Sequence, residues 1–185
     1  MSMCQAELTD CSFESNGGRG ATGDECNFTF TNCNFSYNNG GGLSVGMFDN
    51  ASLTQCTFQH NSTSGSGGGI SCSMLGDGEL VLTECTFTHN TAAVNGGAIS
   101  LDPNGNNVNL TGCTITNNTA AIGGGISNQG TDSNDLTLAF CSIWCNSPDA
   151  IHGPYTDTGN NCIYDDCTDC QYADADDDGD GVPNY

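Results

Sequence analysis

Basic residues are almost missing from this chain: lysine and arginine together number one, Arg19, against 22 acidic residues, for a formal charge of −21. This shortage excludes nucleic acid and anionic membrane surfaces as partners, because both require Lys and Arg to displace counterions. Paired surface charges cannot hold such a fold together either. Long apolar runs are lacking as well, so no membrane-spanning helix is expected. Met1-Ser2-Met3-Cys4 has neither the basic nor the apolar part of an export leader. A Cys-rich, Lys-poor composition nevertheless suits the mature part of an exported protein, so the expected location is secreted or cell-surface, with the signal removed.

Glycine and cysteine are plentiful, at 26 and 13 residues, and the cysteines are periodic. Cys11, Cys33, Cys56, Cys85, Cys113 and Cys141 are each followed two positions later by Phe13, Phe35, Phe58, Phe87, Ile115 or Ile143. Five positions after each cysteine stands Asn16, Asn38, Asn61, Asn90, Asn118 or Asn146. Three before it stands Leu8, Phe30, Leu53, Leu82, Leu110 or Leu138, and two before it, in the first five copies, a threonine. Alternation in Leu82-Thr83-Glu84-Cys85-Thr86-Phe87-Thr88 is a strand pattern with an irregularity between Leu and Cys. Cys and Phe or Ile should face inward and the flanking threonines outward. The Asn marks a corner, since its amide tolerates left-handed backbone, and stacked copies can form an amide ladder.

A second strand signal follows: Gly40-Gly41-Gly42-Leu43, Gly67-Gly68-Gly69-Ile70, Gly96-Gly97-Ala98-Ile99 and Gly123-Gly124-Gly125-Ile126, where glycine indicates a bend or close backbone approach. Ladder cysteines lie 22, 23, 29, 28 and 28 residues apart, which suits three-sided coils. The expected fold is all-β, a right-handed parallel β-helix of about six coils over residues 1–146, its first coil starting near Leu8. A Cys- and Asp-rich extension covers residues 147–185. The alternation of F-x-x-N (Phe13 to Asn16, Phe35 to Asn38, Phe58 to Asn61, Phe87 to Asn90) with G-G-[AG]-[IL] resembles the repeats of chlamydial polymorphic outer-membrane proteins and of bacterial secreted β-helix repeat proteins, over residues 8 to 146. The resemblance implies the fold and a surface-associated life but no single activity.

The six ladder cysteines read as small buried apolar residues. Cys72 is the candidate free core thiol, its column neighbours being Val45 and Leu101. Cys4 and Cys26 each precede a ladder cysteine by seven residues and should sit on adjacent coils. Together with Cys145, Cys162, Cys167 and Cys170 they are the candidate disulfide formers, some of the last four pinning the tail to the last coil.

Eight of the acidic residues fall between Asp165 and Asp180. Asp174, Asp176, Asp178 and Asp180, with Gly179 or Gly181 at the turn and Asn184 beyond, place carboxylates at alternating positions as hard Ca²⁺ requires. This segment resembles the calcium loops of thrombospondin type 3 repeats, but the twelfth position of the second register would lie beyond Tyr185. Calcium is therefore the expected ion, held by an incomplete loop.

A lyase would need cations for an acidic sugar, and only Arg19 is available. A hydrolase would need facing carboxylates, whereas Glu14, Asp49, Glu79 and Glu84 fall in different columns. The protein is expected not to be an enzyme. His60 and His89 share one column with Tyr37 and Asn117, which favours surface packing over a metal site. Outward Thr86/Thr88 and Thr114/Thr116 make a short T-x-T array of the kind that binds ice, though Thr also suits any polar strand face. Sequons at Asn27, Asn34, Asn50, Asn61, Asn109 and Asn117 are expected by accident in so Asn- and Thr-rich a chain. The expected function is structural: an exported adhesin-like building block that self-associates end to end, as a homo-oligomer or filament. The alternatives are a glycan-binding module, an ice-binding protein and, last, a lyase-like enzyme.

Overall fold

The computed structural model describes residues 4–23, 26–46, 50–73, 78–103, 107–132 and 135–167. The chain winds through β1 (Cys4–Thr9), β2 (Ser12–Glu14) and β3 (Ala21–Gly23), then β4 (Cys26–Thr31), β5 (Asn34–Ser36) and β6 (Leu43–Val45). The third coil holds β7 (Ala51–Thr54), β8 (Thr57–Gln59), the short β9 (Ser62–Thr63) and β10 (Ile70–Cys72). The fourth holds β11 (Glu79–Thr83), β12 (Thr86–Thr88), β13 (Thr91–Ala92) and β14 (Ile99–Leu101). Then follow β15 (Asn107–Thr111), β16 (Thr114–Thr116) and β17 (Ile126–Asn128), and β18 (Leu136–Ala139), β19 (Ser142–Trp144) and β20 (Ile151–His152). A partial coil of β21 (Thr156–Asp157) and β22 (Cys162–Ile163) ends the described chain.

Every strand pairs in parallel with its counterpart one coil away, giving two sheets of seven strands, one of six and a two-stranded ribbon of β9 and β13. This is a three-sided parallel β-helix, with a rise of roughly 4.8 Å per coil. Among the described residues the pairing is already present at Cys4, ahead of the expected start near Leu8, since β1 pairs with β4 from Cys4↔Cys26 onward. Strands β20 to β22 extend the three sheets past Asn146.

The core is a set of columns. Leu53, Leu82, Leu110 and Leu138 stack on the first sheet, Phe35, Phe58, Phe87, Ile115 and Ile143 on the second, and Leu43, Ile70, Ile99 and Ile126 on the third, all buried. Phe13, Phe35, Phe58 and Phe87 stack face to face with centroids 4.6–4.7 Å apart. Each buried Phe adds about 2–3 kcal/mol of transfer free energy.

The irregularity between Leu and Cys is a left-handed residue. Asp10, Asn32, Gln55, Glu84 and Phe140 take positive φ immediately before a ladder cysteine, and Gly112 does so in the fifth coil. Ser15, Tyr37, His60, His89, Asn117 and Cys145 do the same immediately before the ladder asparagines. The expectation that the ladder asparagines themselves adopt the left-handed backbone is thereby corrected. The preceding residue turns the chain, and the Asn side chain is left pointing inward. Each non-Gly left-handed residue costs about 1–2 kcal/mol. Inter-coil bonds such as Asp10 N to Thr31 O (3.0 Å) and Glu84 N to Thr111 O (2.8 Å) hold these bends in place.

The glycine runs mark close approach between coils. A Cβ on Gly69 would lie 2.6 Å from the Ala98 carbonyl oxygen and 2.9 Å from the Phe87 ring.

Candidate functional site

The predicted ladders are brought together, and their chemistry is structural. Asn90 Nδ2 donates to Asn118 Oδ1 (3.0 Å) and to the Phe58 carbonyl (2.9 Å), while its Oδ1 accepts from Asn61 N (3.1 Å) and Asn61 Nδ2 (2.9 Å). The side-chain link repeats from Asn16 to Asn38, Asn38 to Asn61, Asn61 to Asn90, Asn90 to Asn118 and Asn118 to Asn146. Asn61 is buried within it, so no glycan fits on that sequon.

The ladder thiols are more than apolar filler. Each donates to the carbonyl two residues before it, and from Cys33 onward also to a carbonyl one coil back, as in Cys85 Sγ to Thr83 O (3.4 Å) and Leu53 O (3.5 Å). Burial pushes the Cys33 thiol above its ordinary range. Cys33, Cys56, Cys85, Cys113 and Cys141 are buried and Cys11 is half-buried.

Cys145 and Cys167 form a disulfide that closes the partial last coil onto the sixth. Cys162 is also in a disulfide. Cys4 and Cys26 are register partners, as their spacing implied, and Cys72 lies between Val45 and Leu101 in register. Cys170 and the calcium-loop residues Asp174, Asp176, Asp178, Asp180 and Asn184 lie outside the described residues. Among the described residues, no three His, Cys, Asp or Glu side chains are grouped to hold a metal ion.

The surface columns differ from one another. Tyr37, His60 and His89 stack with ring centroids 4.9 and 5.0 Å apart, their neighbours occupying the ring faces. On the second sheet Thr86/Thr88 sit beside Thr114/Thr116, but Thr116 is buried, so the T-x-T array is not an open face. A longer threonine column runs along the first sheet instead, where Thr9, Thr31, Thr54, Thr83 and Thr111 follow in unbroken register. Glu14 accepts from Ser12 Oγ (2.7 Å) and Asn34 Nδ2 (2.6 Å), Glu84 from Gln55 (2.9 Å) and Glu79 from Asn109 (2.9 Å). These carboxylates bond separately to neutral partners. Desolvation depresses the half-buried Arg19 guanidinium.

Two concave regions stand out. The first is the mouth of the first coil, a cavity of about 380 Å³ among Ala6, Leu8, Phe13, Ala21, Phe28 and Phe30. It belongs to the core: these are the inward columns of the first two described coils. The second is a cavity of about 560 Å³ outside the third sheet, between Val94 and Ile122 on one side and His152 and Pro154 on the other. Sequence reasoning missed it, although a signal existed. The step from ladder Asn to the next inward residue is short in Asn16 to Ala21, Asn38 to Leu43 and Asn146 to Ile151, but longer in Asn61 to Ile70, Asn90 to Ile99 and Asn118 to Ile126. The longer turns fold over the outer face of the third sheet and bury Ser100 and Ser127, so the short sixth-coil turn leaves a step beside Ile122.

Residues 2–143 match the family model described as the right handed beta helix region. No curated protein and no solved structure matches the chain.

Proposed function

Because the chain belongs to the right-handed β-helix family, we propose that it is a non-enzymatic, exported building block of a cell surface or matrix that associates with further copies end to end. Among the described residues the outer face of the first coil is uncovered, and this observation carries the reading. Leu8 and Phe13 are only partly buried there, whereas their column partners Leu53 and Phe58 are 0 % exposed. β1, β2 and β3 are edge strands of their sheets, and unpaired strand edges over an open core are a template for another chain.

A copy approaching by its last coil would bring Asp157, Asp165 and Asp166 toward Glu7, Asp10 and Glu14. Calcium, which the D-x-D-x-D-G tail is suited to bind, would relieve that repulsion. Association should therefore strengthen with Ca²⁺. Sedimentation velocity of the whole chain in calcium and in chelator tests this: a calcium-promoted series of larger species, lost in Leu8→Asp, is expected, and a lone monomer in both buffers refutes it.

The threonine column of the first sheet favours a second reading, in which this regular face orders water at an ice surface. A thermal hysteresis assay decides it, with loss of activity in Thr54→Lys expected and no hysteresis in the parent chain refuting it.

A further inference from the structure

We propose that the step at the end of the third sheet is a binding site for a neutral saccharide. Its walls are apolar and already exposed: Val94 is 46 % and Ile122 43 % accessible, and they lie on adjacent turns, with Ile122 N donating to Val94 O. Pro154 faces them across the cavity, and Gln129 and His152 supply polar groups along it. Apolar C–H surface beside a few hydroxyl and amide partners is what a sugar ring, with its C–H faces and equatorial hydroxyls, requires.

The charge pattern selects a neutral ligand. His152 Nδ1 stands 3.5 Å from Asp149 Oδ2, and Asp149 Oδ1 is held by Gly123 N at 2.9 Å. His152 is the one basic side chain lining the cavity, and it already has a carboxylate partner. Among the described residues lining the cavity, an acidic sugar, phosphate or sulfate would find no free cation, and the chain as a whole carries a net charge of −21.

An extended peptide fits less well. The strand edge available here, β20, is two residues long and runs through Gly153 into Pro154, which has no N–H to pair.

Ser127 lines the cavity as the register partner of His152; it is 0 % exposed, and its Oγ, like that of Ser100 one coil back in the same column, has no hydrogen-bond partner among the described residues. The His152 side chain is 54 % accessible beside it.

Saturation-transfer NMR on the whole chain with cellobiose, lactose and N,N′-diacetylchitobiose, and with digalacturonate as the anionic control, tests the proposal. At least one neutral disaccharide is expected to bind and digalacturonate not to. Ile122→Asp and His152→Ala, both at exposed positions where the melting temperature is expected to stay unchanged, should each weaken binding about tenfold or more. No transfer to any of the three neutral sugars, equal transfer to digalacturonate, or affinity unchanged in Ile122→Asp and His152→Ala would each overturn the proposal.

Discussion

Replacing Asn90 by alanine should destabilise the solenoid far more than the same change at Asn16. In the interior of the ladder the Asn90 side chain makes four hydrogen bonds, two given and two received. Asn61 N would lose its acceptor outright, and a buried orphaned donor costs about 1–3 kcal/mol. The other three partners keep a second bond: Asn61 Nδ2 still reaches Phe35 O, Asn118 Oδ1 still accepts from Asn90 N, and Phe58 O keeps its place in the second sheet. Losing those three bonds adds about 0.5–1 kcal/mol each, for a total of about 2.5–6 kcal/mol. Asn16 is exposed and donates only to Asn38, so Asn16→Ala should cost about 1 kcal/mol. Equilibrium urea unfolding followed by far-UV circular dichroism gives both numbers. A repeat protein can also lose cooperativity when an interior interface weakens, so a second transition in Asn90→Ala is compatible with the reasoning. Equal destabilisation at the two positions would refute it.

Gly69→Ala should cost at least about 2 kcal/mol, because its Cβ meets the Ala98 carbonyl and the Phe87 ring, and an unchanged melting temperature would show that coils three and four can separate. Removing the Cys145–Cys167 disulfide, which spans 22 residues, should lower stability by about 3 kcal/mol. Hydrogen exchange should then quicken first in β21 and β22, and unchanged protection there would show that packing alone holds the last coil. The Cys33 thiol, raised above 9.0 by burial, keeps its proton in the folded state while the unfolded chain ionises. Its contribution is fully present below the ordinary thiol value and is lost as pH rises through the folded one. The melting temperature should therefore fall above about pH 9, and a flat profile there would contradict the buried position.

The columns were legible in the sequence because a solenoid repeats one environment, so Cys11 to Cys141 and Asn16 to Asn146 report the same inward positions at every coil. The left-handed bends were not, because Asp10, Asn32, Gln55 and Glu84 carry a side-chain carboxyl or amide while Gly112 and Phe140 take the same conformation without one. Stacking against the next coil imposes that conformation. The partner of Cys145 was illegible for a different reason: four clustered cysteines allow several pairings, and only the path of the partial coil brings Cys167 to it. The cavity beside His152 depends on the difference in length between neighbouring turns, which no single motif encodes.

Negative-stain electron microscopy of the intact chain in calcium tests end-to-end association most directly. The seven coils of the described residues, the last one partial, span roughly 34 Å. Rods whose lengths are multiples of one stack, shortened to single particles in Leu8→Asp, are the predicted result. A uniform field of single short particles for the parent chain would contradict it.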